Sequence, residues 1–206
     1  MSMTGFWLIR HAIVDENARA MLYGVMDVPL CETSLIEQAP MYRGLAARLP
    51  RPAAWKVTPL SRTRRTAEAI FLAGYPHAPL GVEPDLIEQS LGDWQGLPHA
   101  ELPAKLELGA HAFWPLRANE CPPGGESLVQ VVARVGHALD RLAVECAGQD
   151  VVIVSHGGAI RAMLAHVLAT DPETMLQFSI QNLSLTRLER HADGWRVVCV
   201  NELPGY

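Results

Sequence analysis

Leu8-Ile9-Arg10-His11-Ala12 near the N-terminus and Val154-Ser155-His156-Gly157-Gly158 far downstream decide how the chain is read. Each is an apolar run that breaks abruptly into a histidine. Short apolar runs of this kind read as buried parallel strands, and in an open α/β sheet ligands bind at the carboxyl ends of the strands. A lone histidine after an apolar strand is most often a turn or core residue. Two of them, delivered to the same sheet edge, can share one pocket. Arg10 places a guanidinium at the end of an apolar strand, where it needs an anionic or hydrogen-bonding partner to offset its desolvation. Gly157-Gly158 opens a helix read over 159 to 168, whose free N–H groups suit an anion. Together these features point to phosphate.

Working outward, residues 5 to 9, 151 to 154 and, more weakly, 54 to 58 read as strands, and residues 33 to 49 and 61 to 72 as helices. The clearest helix begins at Ser127. There Ser127 and Gln130 form a capping-box pattern behind Pro122-Pro123-Gly124-Gly125, and Leu128, Val131, Val132, Val135, Leu139 and Leu142 recur at helical spacing. Residues 183 to 190 and 195 to 200 flank Asp193-Gly194, which predicts a C-terminal hairpin and an antiparallel sheet edge. Residues 93 to 126 are rich in Pro, Gly, Trp and His without clean periodicity, and read as an insertion or lid over the site.

Composition sets the outer limits. The 206 residues, 49% of them hydrophobic, suit a single domain over 1–206 with a real core. A formal charge of −5 argues against a nucleic-acid partner and against a polybasic membrane anchor. No stretch approaches the length of a membrane span, and the N-terminus lacks signal-peptide character, so a cytoplasmic location is expected, with a homodimer left open. Cys31, Cys121, Cys146 and Cys199 are scattered without a C-x-x-C pair and are read as reduced thiols. The eight histidines include no chelating spacing, so no metal and no cofactor is expected.

These segments carry a resemblance that runs through nearly the whole chain. Leu8-Ile9-Arg10-His11-Ala12 resembles the Arg-His-Gly signature of the histidine phosphatase superfamily, the phosphoglycerate mutase-like proteins, and Asn17 falls at the spacing of that family's following Asn. Gly24-Val25-Met26-Asp27-Val28-Pro29-Leu30 resembles its Gly-x-x-Asp-x-Pro-Leu segment. Thr58-Pro59-Leu60-Ser61-Arg62-Thr63-Arg64-Arg65-Thr66-Ala67 is similar to its Ser-Pro-Leu-x-Arg-x-x-x-Thr-Ala helix start. Glu88, ahead of Gly92-Asp93-Trp94-Gln95-Gly96, sits where the family keeps a proton-donating acid, and Gly124-Gly125-Glu126-Ser127 precedes the second histidine. Ala12 stands in place of the usual Gly, and Gln95 in place of a frequent Glu. A methyl group at residue 12 is harmless if its φ is negative and crowds the site if positive.

The resemblance implies a three-layer α/β/α sandwich with a mostly parallel sheet and an antiparallel edge strand. It also implies His11, Glu88 and His156 as catalytic residues, with Arg10, Arg62, Asn17 and Gly157 binding the substrate phosphate. The expected chemistry is attack by neutral His11 on a small phosphomonoester, with Glu88, protonated in a desolvated site, serving the leaving alcohol. Arg62 is selected over Arg64 and Arg65 by the register of Thr66 and Ala67. The segment between Glu88 and His156 is shorter than in the family's mutases, which favours hydrolysis over a phosphoglycerate-type phosphomutase. A catalytically silent domain that binds phosphate or protein is the third reading. Tyr23-Gly24 to Leu30 is also similar to α-ribazole-phosphatase-type members.

Overall fold

The computed structural model describes residues 3–204, so Met1, Ser2, Gly205 and Tyr206, included in the 1–206 reading, lie outside the described residues. The chain runs β1 (Thr4–Arg10), α1 (Glu16–Arg19), α2 (Glu32–Glu37), α3 (Ala39–Arg48), β2 (Ala54–Val57), α4 (Ser61–Leu72) and β3 (Leu80–Val82). After an irregular stretch it continues as α5 (Leu128–Glu145), β4 (Asp150–Ser155), α6 (Gly157–Leu168), α7 (Pro172–Met175), β5 (Leu185–His191) and β6 (Gly194–Glu202). One sheet has the order β3-β2-β4-β1-β5-β6. The first four strands are parallel, and β5 and β6 are antiparallel. The expected antiparallel edge is therefore a whole hairpin.

The central strands β1 and β4 are largely apolar because both faces of the sheet are covered there. Along β1 and β4, Phe6, Leu8, Val151 and Ile153 face the core built with α5, α6 and α7, and Ile9, Val152 and Val154 face the core built with α3 and α4. That split is the period-two alternation of a strand applied to a sheet with no solvated face. On α5, Val131, Val135, Leu139 and Leu142 are fully buried, and each such side chain contributes about 1.5–3 kcal/mol by leaving water. The capping box is present, with Ser127 accepting from the Gln130 N–H and the Gln130 side chain accepting from the Ser127 N–H.

The helix expected over 33 to 49 is two helices that break at Gln38, since Pro40 has no N–H to donate to the preceding turn. The hairpin turn is Ala192-Asp193, with Gly194 already paired to His191, one residue before the expected Asp-Gly turn. The short edge strand β3 had no periodic signal. Among the described residues no helix is long and apolar enough to cross a membrane.

Candidate active site

β1 and β4 are adjacent and parallel, with Arg10 opposite Ser155, so His11 and His156 emerge side by side from one sheet edge. Their rings lie 5.2 Å apart, centroid to centroid, and both are buried. The His11 Nδ1 lies 2.7 Å from the Ala12 carbonyl oxygen. A carbonyl only accepts, so Nδ1 carries the proton and Nε2 presents its lone pair. Burial, with Arg62 and Arg10 adding to it, holds the His11 imidazole well below its ordinary range, so it is neutral near pH 7. His156 is depressed in the same way, by burial first and then by His11 and the arginines. Its Nε2 meets the Thr58 hydroxyl at 2.9 Å.

Three buried nitrogens converge here without a hydrogen-bond partner: Arg10 Nε, Arg62 Nε and His156 Nδ1. Buried donors are normally satisfied, and a cluster left open calls for an anion. Other nitrogens of both guanidinium groups are tied to backbone. Arg62 is fully buried and donates to the Met26 carbonyl and the Gly24 carbonyl, each at 2.7 Å, while Arg10 donates to the Ile180 carbonyl at 2.6 Å. The Gly24 to Leu30 segment thus acts as a cradle that fixes Arg62. Asp27 completes it by accepting from the Ser61 N–H and hydroxyl. Arg64 is exposed, and Arg65 pairs with Glu32 across the surface, as the register of Thr66 predicts.

The free helix N-terminus expected at Gly157-Gly158 is already in use. The Glu88 carboxylate accepts from the Gly158 and Ala159 N–H groups, both at 3.1 Å, and from the Gln89 N–H at 3.0 Å. Two of the α6 amides thus hold a carboxylate of the chain itself, a contact that the sequence reading did not anticipate. The Gly157 N–H makes no hydrogen bond among the described residues, and Gly157 lies against Arg10 Nε, 3.4 Å from where a Cβ would stand. Asn17 is exposed on α1, and its side chain makes no hydrogen bond among the described residues. Ala12 is not among the residues with positive φ and packs in the core, so its methyl group is harmless. Gln95 Oε1 accepts from the Val25 N–H at 3.0 Å, a task any carbonyl-type oxygen performs.

Several supporting contacts escaped the sequence reading. Asn182 donates to the His11 carbonyl at 2.7 Å, and Thr66 accepts from the Ala12 N–H at 3.0 Å. Arg134 reaches from α5 to the Asp85, Ile87 and Glu88 carbonyls while pairing with Glu126. Arg161 is a buried cation on α6, brought down to about 10 by burial and then by Arg10, and it lies 4.1 Å over the Trp114 ring. Its signal in the sequence was a lone arginine inside the apolar run Ala159 to Leu164. The site opens into a cavity of about 140 Å3 lined in part by Arg10, Glu88 and Trp114.

A sheet edge that presents two histidines and two arginines in this order is the pattern of a phosphoryl-handling enzyme, and the chain belongs to the histidine phosphatase superfamily (branch 1), whose model matches residues 6–203. A metal-independent phosphoserine phosphatase of Arabidopsis thaliana is 30% identical over 196 residues, covering 94% of this chain and 81% of the relative. The solved structure of a mycobacterial glucosyl-3-phosphoglycerate phosphatase superposes with a TM-score of 0.80 at 28% identity, covering 97% of this chain and 99% of the other. A putative α-ribazole-5′-P phosphatase from Escherichia coli superposes with a TM-score of 0.79 at 21% identity over 97% of this chain and 96% of the other, which shows the shared fold alone.

Proposed function

We propose that the chain hydrolyses small phosphomonoesters through transient phosphorylation of His11, without a metal. One observation carries this reading: His11 Nε2 is left unprotonated and unpaired beside the three orphaned nitrogens of Arg10, Arg62 and His156. The lone pair of Nε2 attacks phosphorus, the ester P–O bond breaks toward the leaving oxygen, and the fixed charges stabilise the phosphoryl oxygens as negative charge redistributes. Glu88 supplies the proton for the leaving alcohol. The proton that Glu88 passes on comes from the ester monoanion or from solvent. In the second half, Glu88 removes a proton from water, water attacks the phosphohistidine, and the P–N electron pair returns to His11. Asn17 and the Gly157 N–H complete the phosphate cradle, and residues 93–126 serve as the lid.

The relatives named for phosphoserine and glucosyl-3-phosphoglycerate support hydrolysis over mutase action. The test uses protein dialysed against EDTA. His11→Ala abolishes phosphate release from p-nitrophenyl phosphate, and Glu88→Gln slows alkyl phosphates far more than this activated ester, whose leaving group needs no acid. Near-normal turnover by His11→Ala, or activity that returns only with added zinc or magnesium, overturns the proposal.

A further inference from the structure

The cavity beside the phosphate cradle has a chemistry of its own. Met21, Leu22, Tyr23, Leu91, Trp114 and Leu116 supply most of its wall. Arg10 and Glu88, which also line it, belong to the reacting end. The other group able to carry positive charge is His99, which is exposed at the rim and therefore screened by water. Gln89 also lines the cavity, but its side-chain amide is tied to the Glu126 carbonyl. Arg161 stacks on Trp114 and is not part of the lining. A substrate with a carboxylate next to its phosphate would leave that carboxylate in an apolar recess without a fixed cation, at the cost of its hydration.

Size narrows the class further. The volume of about 140 Å3 is close to that of an engineered apolar cavity of about 150 Å3 that takes up benzene. One six-membered ring fills such a space, and any further part of a larger alcohol would extend into solvent. Resting on the phosphatase reading above, we infer that the preferred substrate is the phosphate ester of a compact, uncharged alcohol bearing one ring-sized apolar group. Tyr23 and Trp114 offer aromatic surface to that group. Met21, Leu22, Leu91 and Leu116 exclude water around it, and specificity for the alcohol lies in these walls. Phosphoserine and phosphoglycerate are then poor substrates, although a relative is named for phosphoserine.

Benzyl phosphate, O-phosphoserine and 3-phosphoglycerate all release primary alkoxides, so comparing kcat/KM isolates the group beyond the ester oxygen. Benzyl phosphate is expected to lead by roughly ten- to hundredfold, the range a hydrophobic pocket achieves for apolar groups. Met21→Arg, which places a cation in the half-buried wall, is expected to narrow or reverse that gap by raising activity toward 3-phosphoglycerate. Calorimetry on the wild-type protein provides a readout independent of turnover, with benzylphosphonate binding at least tenfold more tightly than methylphosphonate. A wild-type preference for either carboxylated ester overturns the inference and leaves the phosphatase reading standing. Equal binding of the two phosphonates overturns it as well. Tight benzylphosphonate binding without hydrolysis of any ester supports the pocket and removes the hydrolase.

Discussion

Arg62 shows how one side chain acquires two duties. Its terminal nitrogens hold the Met26 and Gly24 carbonyls, which leaves Nε as the atom free for the phosphoryl group. Arg62→Ala is therefore expected to lower kcat by roughly two to three decades, about 3 to 4 kcal/mol of transition-state stabilisation, and also to loosen the Gly24 to Leu30 loop. Lysine cannot make the same fork of contacts and should rescue little. Arg64→Ala and Arg65→Ala should leave steady-state rates within about twofold, because their side chains face solvent or Glu32. Kinetics with p-nitrophenyl phosphate for the three variants decides the matter, and a larger loss at Arg64 or Arg65 would contradict the assignment.

At the scale of elements, α5 positions Glu88, the proposed acid, without touching its carboxylate. The capping box fixes where α5 begins, and one face of the helix is anchored by its buried apolar residues. Arg134 then reaches across to the carbonyls of Asp85, Ile87 and Glu88. Glu126, just ahead of the cap, pairs with Arg134 and accepts from the Ser90 N–H, so both sides of Glu88 are tied to α5. From the other side, α6 meets Glu88 at Gly158, where any Cβ would overlap the carboxylate. Arg134→Met is expected to lower alkyl phosphate turnover by one to two decades, roughly the effect of misplacing a catalytic group, with a smaller effect on p-nitrophenyl phosphate. A merely structural role would depress both substrates alike, so the ratio of the two rates is the measurement.

For the whole molecule, the two buried histidines link folding to pH. Each is held neutral in the folded chain well below the ordinary 6.5. Once unfolded, each takes up a proton as pH falls past about 6.5, so the unfolded state binds more protons and stability drops with falling pH. Their contribution is complete above that value and is lost on the way down to the folded-state value. The slope is at most about 1.4 kcal/mol per pH unit for each histidine. Urea unfolding at pH 7.5, 6.5 and 5.5, without phosphate, should show wild type losing stability below pH 6.5 faster than the double variant His11→Asn, His156→Gln. Comparing the two cancels the other histidines, and identical pH dependences would mean that the imidazoles are solvated.

The sequence by itself determined the parallel core strands, the helix that starts at Ser127 and the two histidines at strand ends, while Arg62 and Glu88 became candidates through the family resemblance. Those features are local: apolar runs, a capping pattern and chemically unusual residues at strand or helix boundaries. It could not show that the amides of α6 belong to Glu88, because that contact joins positions 70 residues apart across two loops. The break at Gln38 has a local cause in Pro40, which a reading of residues 33 to 49 as one helix passes over. Asn182 and Arg134 had no local signal, since their partners are backbone carbonyls, which every residue carries. The apolar wall of Met21, Tyr23, Trp114 and Leu116 likewise exists only after distant segments pack together. Residue chemistry was written along the chain, whereas the direction in which each donor points and the volume left beside it were decided by tertiary packing.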